Sequence, residues 1–443
     1  MATPSGPGRS DRARAHLRRL ALDLTPLRVS RDFRLVWAGV FVSELGYQFT
    51  RVALYVQVFD LTRSTAMVGL LGLAGLVGQI GGALVGASFI DAHDRRRILL
   101  WSQVALAAFT AVLLGTSISA RPPIAVLFAV NGAIWFVAAI EGPARSAMTP
   151  RLVGVELVPS ALALYQVLWQ TVQIVGPAVA GVLIAITDPS WAYAVDLGSY
   201  AALIVAALAM RPMPPEHDTS EAMGWTAVRE GFGHVKSNRL LQSTFAIDLV
   251  AMIFGMPVAL FPALVVTQFH RGPAVFGLLF AAPAAGALLQ ALAGGWTRRV
   301  RRQGEVVVWA VVGWGAAIAA FGLVGAHLWW AIGFLAVAGA ADVISSIFRS
   351  TILQVTVPDR LRGRLASIFM LVVAGGPKLG DLEAGLVASA FTPTVSVVSG
   401  GVACIVGALV CAAVYPELRR YRAGPAAPGS APDGTQGRAA PAP

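Results

Sequence analysis

The stretch AMVGLLGLAGLVGQIGGALVGASFIDAHDRRR, residues 66–97, sets the reading of the whole chain. From Ala66 to Ile90 it carries no charge and is polar only at Gln79 and Ser88; two aspartates and three arginines then follow within seven residues. About 20 mostly apolar residues are enough for one helix to cross about 30 Å of hydrocarbon. Working outward, eleven more runs fit: 33–60, 98–118, 123–147, 159–186, 190–210, 240–267, 273–296, 305–326, 328–352, 362–390 and 393–415. They lack period-2 alternation and are too long for barrel strands, so they are expected to be helices. Hydrophobic residues make up 56% of the 443 and charged ones 13%, where a soluble domain has about 45–50% and about 25%. A water-soluble enzyme is excluded on that balance.

The net charge of +11 would suggest a nucleic-acid partner in a soluble protein. The cations instead sort by loop. With the N-terminus inside, 29 of 34 fall on the cytoplasmic side, Arg63, Arg121 and Arg271 fall outside, and Arg51 and Lys378 fall within spans. This asymmetry puts both termini in the cytoplasm of a multi-pass inner-membrane protein and leaves no argument for nucleic acid. The expected organisation is a cytoplasmic tail over 1–32, a six-helix bundle over 33–210, a linker over 211–239, a second bundle over 240–423, and a disordered tail over 424–443. Trp225, Val228, Phe232 and Val235 give the linker one apolar helical side. Cys404 and Cys411 read as packing residues, and six scattered His give no metal site and no cofactor.

The chain also matches itself near an offset of 204. Arg145-Ser146 falls on Arg349-Ser350, Gly176 on Gly380, Ala180-Gly181 on Ala384-Gly385, and Glu44 on Asp248. The second and eighth spans share a Gly-Leu-Leu start at Gly69 and Gly277, displaced by four from that register. A six-plus-six duplication is the simplest account, and duplicated halves around a midplane site are the usual build of secondary transporters.

In the loop that ends the opening stretch, Asp91, Asp94, Arg95, Arg96 and Arg97 resemble the signature between helices 2 and 3 of the major facilitator superfamily, with Ala87 and Ala92 departing from it. Gly176, Pro177 and Gly181 in the fifth span resemble part of the motif of that superfamily's proton-linked exporters. Together with EGPARSAMTPRLV, residues 141–153, these stretches resemble the enterobactin-exporter and macrolide-efflux branch over nearly the whole chain. The resemblance implies two pseudo-symmetric six-helix bundles and a cavity lined by helices 1, 4, 7 and 10. The acid-and-arginine loop is then either a charge-assisted inner latch or a solvated positive-inside loop. The Gly-Pro-Gly stretch is either a gating hinge or a packing seam.

Polar residues inside spans are costly in lipid and are the candidate site. Glu44, Gln48 and Arg51 lie at about 0°, 40° and 340° around a helix, on one face that should line the cavity. Glu44 is the first candidate to carry a proton; the other reading is a fixed salt bridge that braces helix 1. Asp248 and Asp342 are further proton-coupling candidates, although Asp248 could instead pair with a loop arginine. Asp196 reads as structural. Lys378 and Asp381, at i and i+3, either pair with each other or face the cavity, and their GGPKLGDLEAG run is expected to break helix 11. Gln166, Gln170 and Gln173 form a stripe that either binds substrate or glues helices, and Asn131 and Trp135 are candidates of the same sort. Helix 4 is expected to lack the arginine that many proton-drug antiporters of the superfamily carry there.

No Walker A motif or nucleophile elbow occurs in any loop, so an ion gradient is expected to drive the work. The expectation is a monomeric exporter of an amphipathic small molecule, in exchange for protons, by alternating access. The alternatives are a facilitator, importer or lysophospholipid flippase of the same fold, or a non-transporting membrane receptor or assembly partner.

Overall fold

A computed structural model describes residues 23–119, 122–214, 233, 235–357 and 362–422. Residues 1–22 of the first tail, the linker positions Trp225, Val228 and Phe232, and the tail 424–443 lie outside the described residues, as does the Asp91 side chain.

Among the described residues, twelve long helices carry the fold. They are α1 (Arg31–Thr62), α2 (Thr65–Ala92), α3 (Arg95–Ser117), α4 (Ile124–Val153), α5 (Val158–Ile186), α6 (Pro189–Ala209), α7 (Arg239–Phe254), α8 (Pro273–Ala293), α9 (Gln303–Leu323), α10 (Leu328–Thr356), α11 (Arg362–Ala390) and α12 (Pro393–Val414). Most connections between these helices are short, so the helix starts have to satisfy their free N–H groups locally. Ser30, Ser64, Asp94, Asp188, Asn238 and Thr392 do so, each accepting backbone N–H bonds from the first turn of its helix. Among the described residues, ten spans are long and apolar enough to cross a bilayer on length and composition alone. The first and eleventh complete the set and carry Glu44 and Arg51, and Lys378 and Asp381.

Packing follows the duplication. In the first half α1 packs on α6 and α5, α4 on α2 and α3, and α3 on α6. In the second half α7 packs on α12 and α11, α10 on α8 and α9, and α9 on α12, the same set displaced by six helices. The halves meet chiefly through α2 with α11 and α5 with α8. Both seams rest on paired glycines. A Cβ on Gly385 would lie 3.0 Å from the Gly69 Cα, and one on Gly277 would lie 3.1 Å from the Gly181 Cα, so backbone meets backbone at each crossing. These are the glycines that the internal match had aligned.

Two expectations about helix continuity are corrected. The seventh span is broken: α7 stops at Phe254, and a single 3-10 turn at Val258–Leu260 leads to a short helix, Phe261–Thr267. Pro257 supplies no N–H to continue α7, and the Trp314 indole donates to the Gly255 carbonyl at 2.7 Å. By contrast, α11 runs unbroken through Pro377 and its glycines. Those glycines serve close approach to α7, since a Cβ on Gly376 would sit 2.7 Å from the Met252 Cβ and one on Gly380 would sit 2.7 Å from the Ile253 carbonyl oxygen.

Candidate functional site

α4 continues to Val153, so the EGPARS stretch is helical and Arg145 points into the bundle. Its guanidinium lies 3.2 Å from Glu44 of α1 and 3.7 Å from Glu141 one turn earlier. Gln103 of α3 donates to the second Glu141 oxygen at 2.7 Å and accepts from Ser43 at 3.0 Å. Helix 4 therefore does carry an arginine directed into the bundle, against expectation. Its position near the end of α4 had put it among the loop cations.

The second half repeats the motif. Arg349, sealed within α10 at 1% exposure, reaches 2.7 Å from Asp248 of α7, also 1% exposed. The pair is ionic by distance and lacks hydrogen-bond angles. Asp248 is thus held by an intramembrane arginine and not by a loop one. Asp342, two turns before Arg349 on α10, lies within its electrostatic reach and keeps one buried oxygen without a hydrogen bond. In the first half two carboxylates lie within 3.7 Å of one guanidinium; in the second, Arg349 holds Asp248, and Asp342 stands two turns off on the same helix within its electrostatic reach. Glu44 and Asp248 correspond in the repeat, and so do Arg145 and Arg349.

A third cluster lies further along the helices and joins the halves. Asp381 of α11 accepts from the Tyr55 hydroxyl of α1 at 2.7 Å and from the Ala259 amide, freed by the break after α7, at 2.9 Å. Lys378 donates to Gln79, the lone polar residue in the middle of α2, and its ammonium stands 3.5 Å over the Trp135 ring of α4. Both charged groups therefore find partners on other helices. Arg51 of α1 lies 4.4 Å over the Phe280 ring of α8, and Tyr47 meets Trp135 edge-on at 6.1 Å.

Other candidates are set apart. Gln48 is buried in the α1–α5 seam, bonded to Gln173 and packed on Gly176, so the face of α1 divides: Glu44 meets α4, Gln48 meets α5 and Arg51 meets α8. Gln166 is exposed and Gln170 half-buried. The Asn131 amide ties α4 to the Leu71 carbonyl of α2 at 2.8 Å. Pro177 and Gly181 sit in the α5–α8 seam, with a Cβ on Gly277 meeting the Pro177 carbonyl oxygen. Asp196 is fully buried in α6, taking bonds from Tyr200 at 3.1 Å and Thr110 at 3.4 Å.

The arginine loop works within the first half. Asp94 caps α3 and accepts the Met213 N–H at 3.0 Å, while Arg95 donates its backbone N–H to the Met213 carbonyl at 3.2 Å. Arg96 donates to the Ala207 and Leu208 carbonyls at the end of α6. Arg97 is exposed. Among the described residues these contacts clamp α3 to the end of α6 and the start of the linker.

Sequence reasoning missed Arg145, Arg349 and Glu141 as site residues, along with Tyr55 and Gln79. For the arginines a signal existed, because the offset that aligned Glu44 with Asp248 also aligned Arg145 with Arg349. For Tyr55 and Gln79 no spacing along one helix could reveal a partner on another.

Comparison with known proteins places the chain. It is 27% identical to the enterobactin exporter EntS of Citrobacter koseri over 426 residues, covering 93% of this chain and 98% of that one. It is 26% identical to EntS of Salmonella choleraesuis over 411 residues, covering 91% and 97%. Among solved structures it resembles the nucleoside transporter NupG, with a TM-score of 0.68 at 14% identity over 88% of this chain and 100% of that one. It also resembles a bacterial homologue of the lysosomal transporter Spinster, with a TM-score of 0.66 at 16% identity over 89% and 98%. The profile of the transmembrane secretion effector family matches residues 21–428. With a match of that extent over a twelve-helix duplicated fold, the chain belongs to the transmembrane secretion effectors, transporters of the major facilitator superfamily.

Proposed function

We propose that this transporter expels an amphipathic small molecule, of the siderophore-like kind named in its relatives, across the inner membrane in exchange for protons. The observation that carries the reading is a carboxylate–guanidinium pair at corresponding places in the two halves, Glu44 with Arg145 and Asp248 with Arg349, each with a further carboxylate on the arginine's own helix, Glu141 and Asp342. One guanidinium offsets one carboxylate. At membrane depth the second is neutralised most cheaply by a proton. Each half is then able to take up one proton and to release it when its arginine or its surroundings change. Alternating access supplies that change. With the arginine-rich loops inside, the glycine seams of α2 with α11 and α5 with α8 lie toward the outer face, and the conformation is one closed to the outside.

The test is counterflow and gradient-driven export in proteoliposomes. Glu44→Gln is expected to abolish export driven by a pH gradient while leaving substrate exchange without a gradient intact. Unchanged gradient-driven export would remove Glu44 from coupling and leave Glu141, Asp248 and Asp342 as the remaining carriers. Direction is read from cells: lower accumulation of labelled siderophore in cells that contain the protein supports export, and higher accumulation overturns it.

A further inference from the structure

Asp196 of α6 is fully buried and belongs to neither carboxylate–guanidinium pair. Four hydroxyl groups surround it: Thr50 from α1, Thr110 from α3, and Ser199 and Tyr200 from its own helix. All four are buried, Thr50 and Thr110 without any exposure. None of these partners is a nitrogen donor or a cation, so three helices gather oxygen alone around one carboxylate. A charge inside a membrane-spanning bundle needs a counterpart.

Hydrogen bonds supply little of it, because a hydroxyl has one proton to give. The shorter contact of Ser199 is to the backbone carbonyl of Asp196, at 2.7 Å, which leaves its lone pairs toward the carboxylate oxygen 3.3 Å away. Thr110 stands 3.4 Å from both the carboxylate and the Tyr200 hydroxyl, and Tyr200 stands 3.1 Å from the carboxylate. O–H···O bonds close at about 2.5–3.0 Å. The Thr50 hydroxyl is within reach of the same carboxylate, yet it has no hydrogen-bond partner of acceptable angle. Oxygens spaced this way suit a small cation between them. Ligand distances of about 2.3–2.6 Å to a hard ion put neighbouring oxygens of an octahedral shell about 3.3–3.7 Å apart.

Packing alone does not call for this set. The starts Asp188-Pro189 of α6 and Thr392-Pro393 of α12 hold those helices in the 204 register. In that register Asp196, Ser199 and Tyr200 fall on Gly400, Ala403 and Cys404, and Thr50 falls on Phe254. α12 packs on α7 and α9 as α6 packs on α1 and α3, with neither an acid nor a hydroxyl at those four positions.

We propose that Asp196, Thr50, Thr110, Ser199 and Tyr200 form a sodium site inside the first bundle, separate from the carboxylates of the coupling reading. Asp196 supplies the one negative charge, and the hydroxyls are neutral, so a monovalent ion balances the site where a divalent one would leave an excess. Bound there, sodium ties α1, the helix of Glu44, to α3 and α6. It enters and leaves when those helices part.

The test is binding of radioactive sodium, with thermal unfolding alongside, on the full-length protein purified into lipid nanodiscs. Sodium chloride is exchanged for potassium or choline chloride at fixed ionic strength. Wild type is expected to hold about one sodium per chain and to melt at rising temperature as sodium increases, with potassium about tenfold or more weaker. Asp196→Asn is expected to lose the bound sodium. Thr50→Val removes only an unpartnered hydroxyl, so it is expected to weaken sodium about tenfold and to melt in choline no lower than wild type. Melting in choline reports folding on its own, and Thr50→Val decides if Asp196→Asn does not fold. A wild type that binds no sodium even at alkaline pH, where protons compete least, holds a protonated Asp196 and overturns the site. Undiminished sodium binding in either folded variant overturns it as well.

Discussion

Arg349 and Asp248 face each other inside the second bundle with almost no access to solvent. Removing one partner strands the other's charge, which costs about 3–5 kcal/mol where a buried pair is broken from one side. Arg349→Met is therefore expected to lower the unfolding free energy by about that much, and the double variant Asp248→Leu with Arg349→Met to recover most of the loss. Reversible unfolding in mixed micelles checks this; a double variant as unstable as the single one would show that the pair is not what holds α7 to α10. The same residue explains where sequence reading fell short. Counting cations by loop treats any arginine near a span end as topological, and both Arg145 and Arg349 lie within about three turns of their helix ends. The duplication register carried the missing information, but nothing in one strand of residues says which face of α1 looks toward α4.

At the level of helices, existence and order were legible, because uncharged runs of this length have few alternatives. Continuity was not. Both the seventh and eleventh spans contain glycine and proline, and only packing decides between a break and a tight contact: Trp314 caps the freed Gly255 carbonyl in the one, and α7 fills against the glycines in the other. The glycine seams give a second prediction. A side chain at Gly181 would meet the Pro273 carbonyl oxygen at 2.8 Å and the Gly277 backbone at 2.9 Å, and one at Gly385 the Thr65 carbonyl oxygen at 2.5 Å. Gly181→Val and Gly385→Val are expected to hold the halves apart at these crossings and to cut export about tenfold or more. Labelling of a cysteine placed at Lys378 by an impermeant maleimide from outside the cell should rise in both variants; unchanged labelling would show that the seams tolerate a side chain.

For the molecule as a whole, the six-helix displacement in packing turns a handful of aligned residues into an architecture. The charge asymmetry belongs to this scale as well, since with Arg145 and Arg349 set inside the bundles 27 cations still stand against three across the loops and tails. It predicts that a fluorescent protein fused after Pro443 folds and emits in cells, and that alkaline phosphatase inserted after Arg271 is active. The reverse pattern would invert the topology and, with it, the face at which the seams close.

The anchoring of Asp381 has a last consequence. One of its two donors is a phenol, which any change at Tyr55 can delete; the other is the peptide N–H of Ala259, which stays whatever side chain position 259 carries, proline excepted. Mutational drift can therefore loosen one side of this carboxylate and hardly touch the other. A lineage adjusting to a new cargo has in Tyr55 a dial, and in the broken seventh span a fixed point against which to turn it.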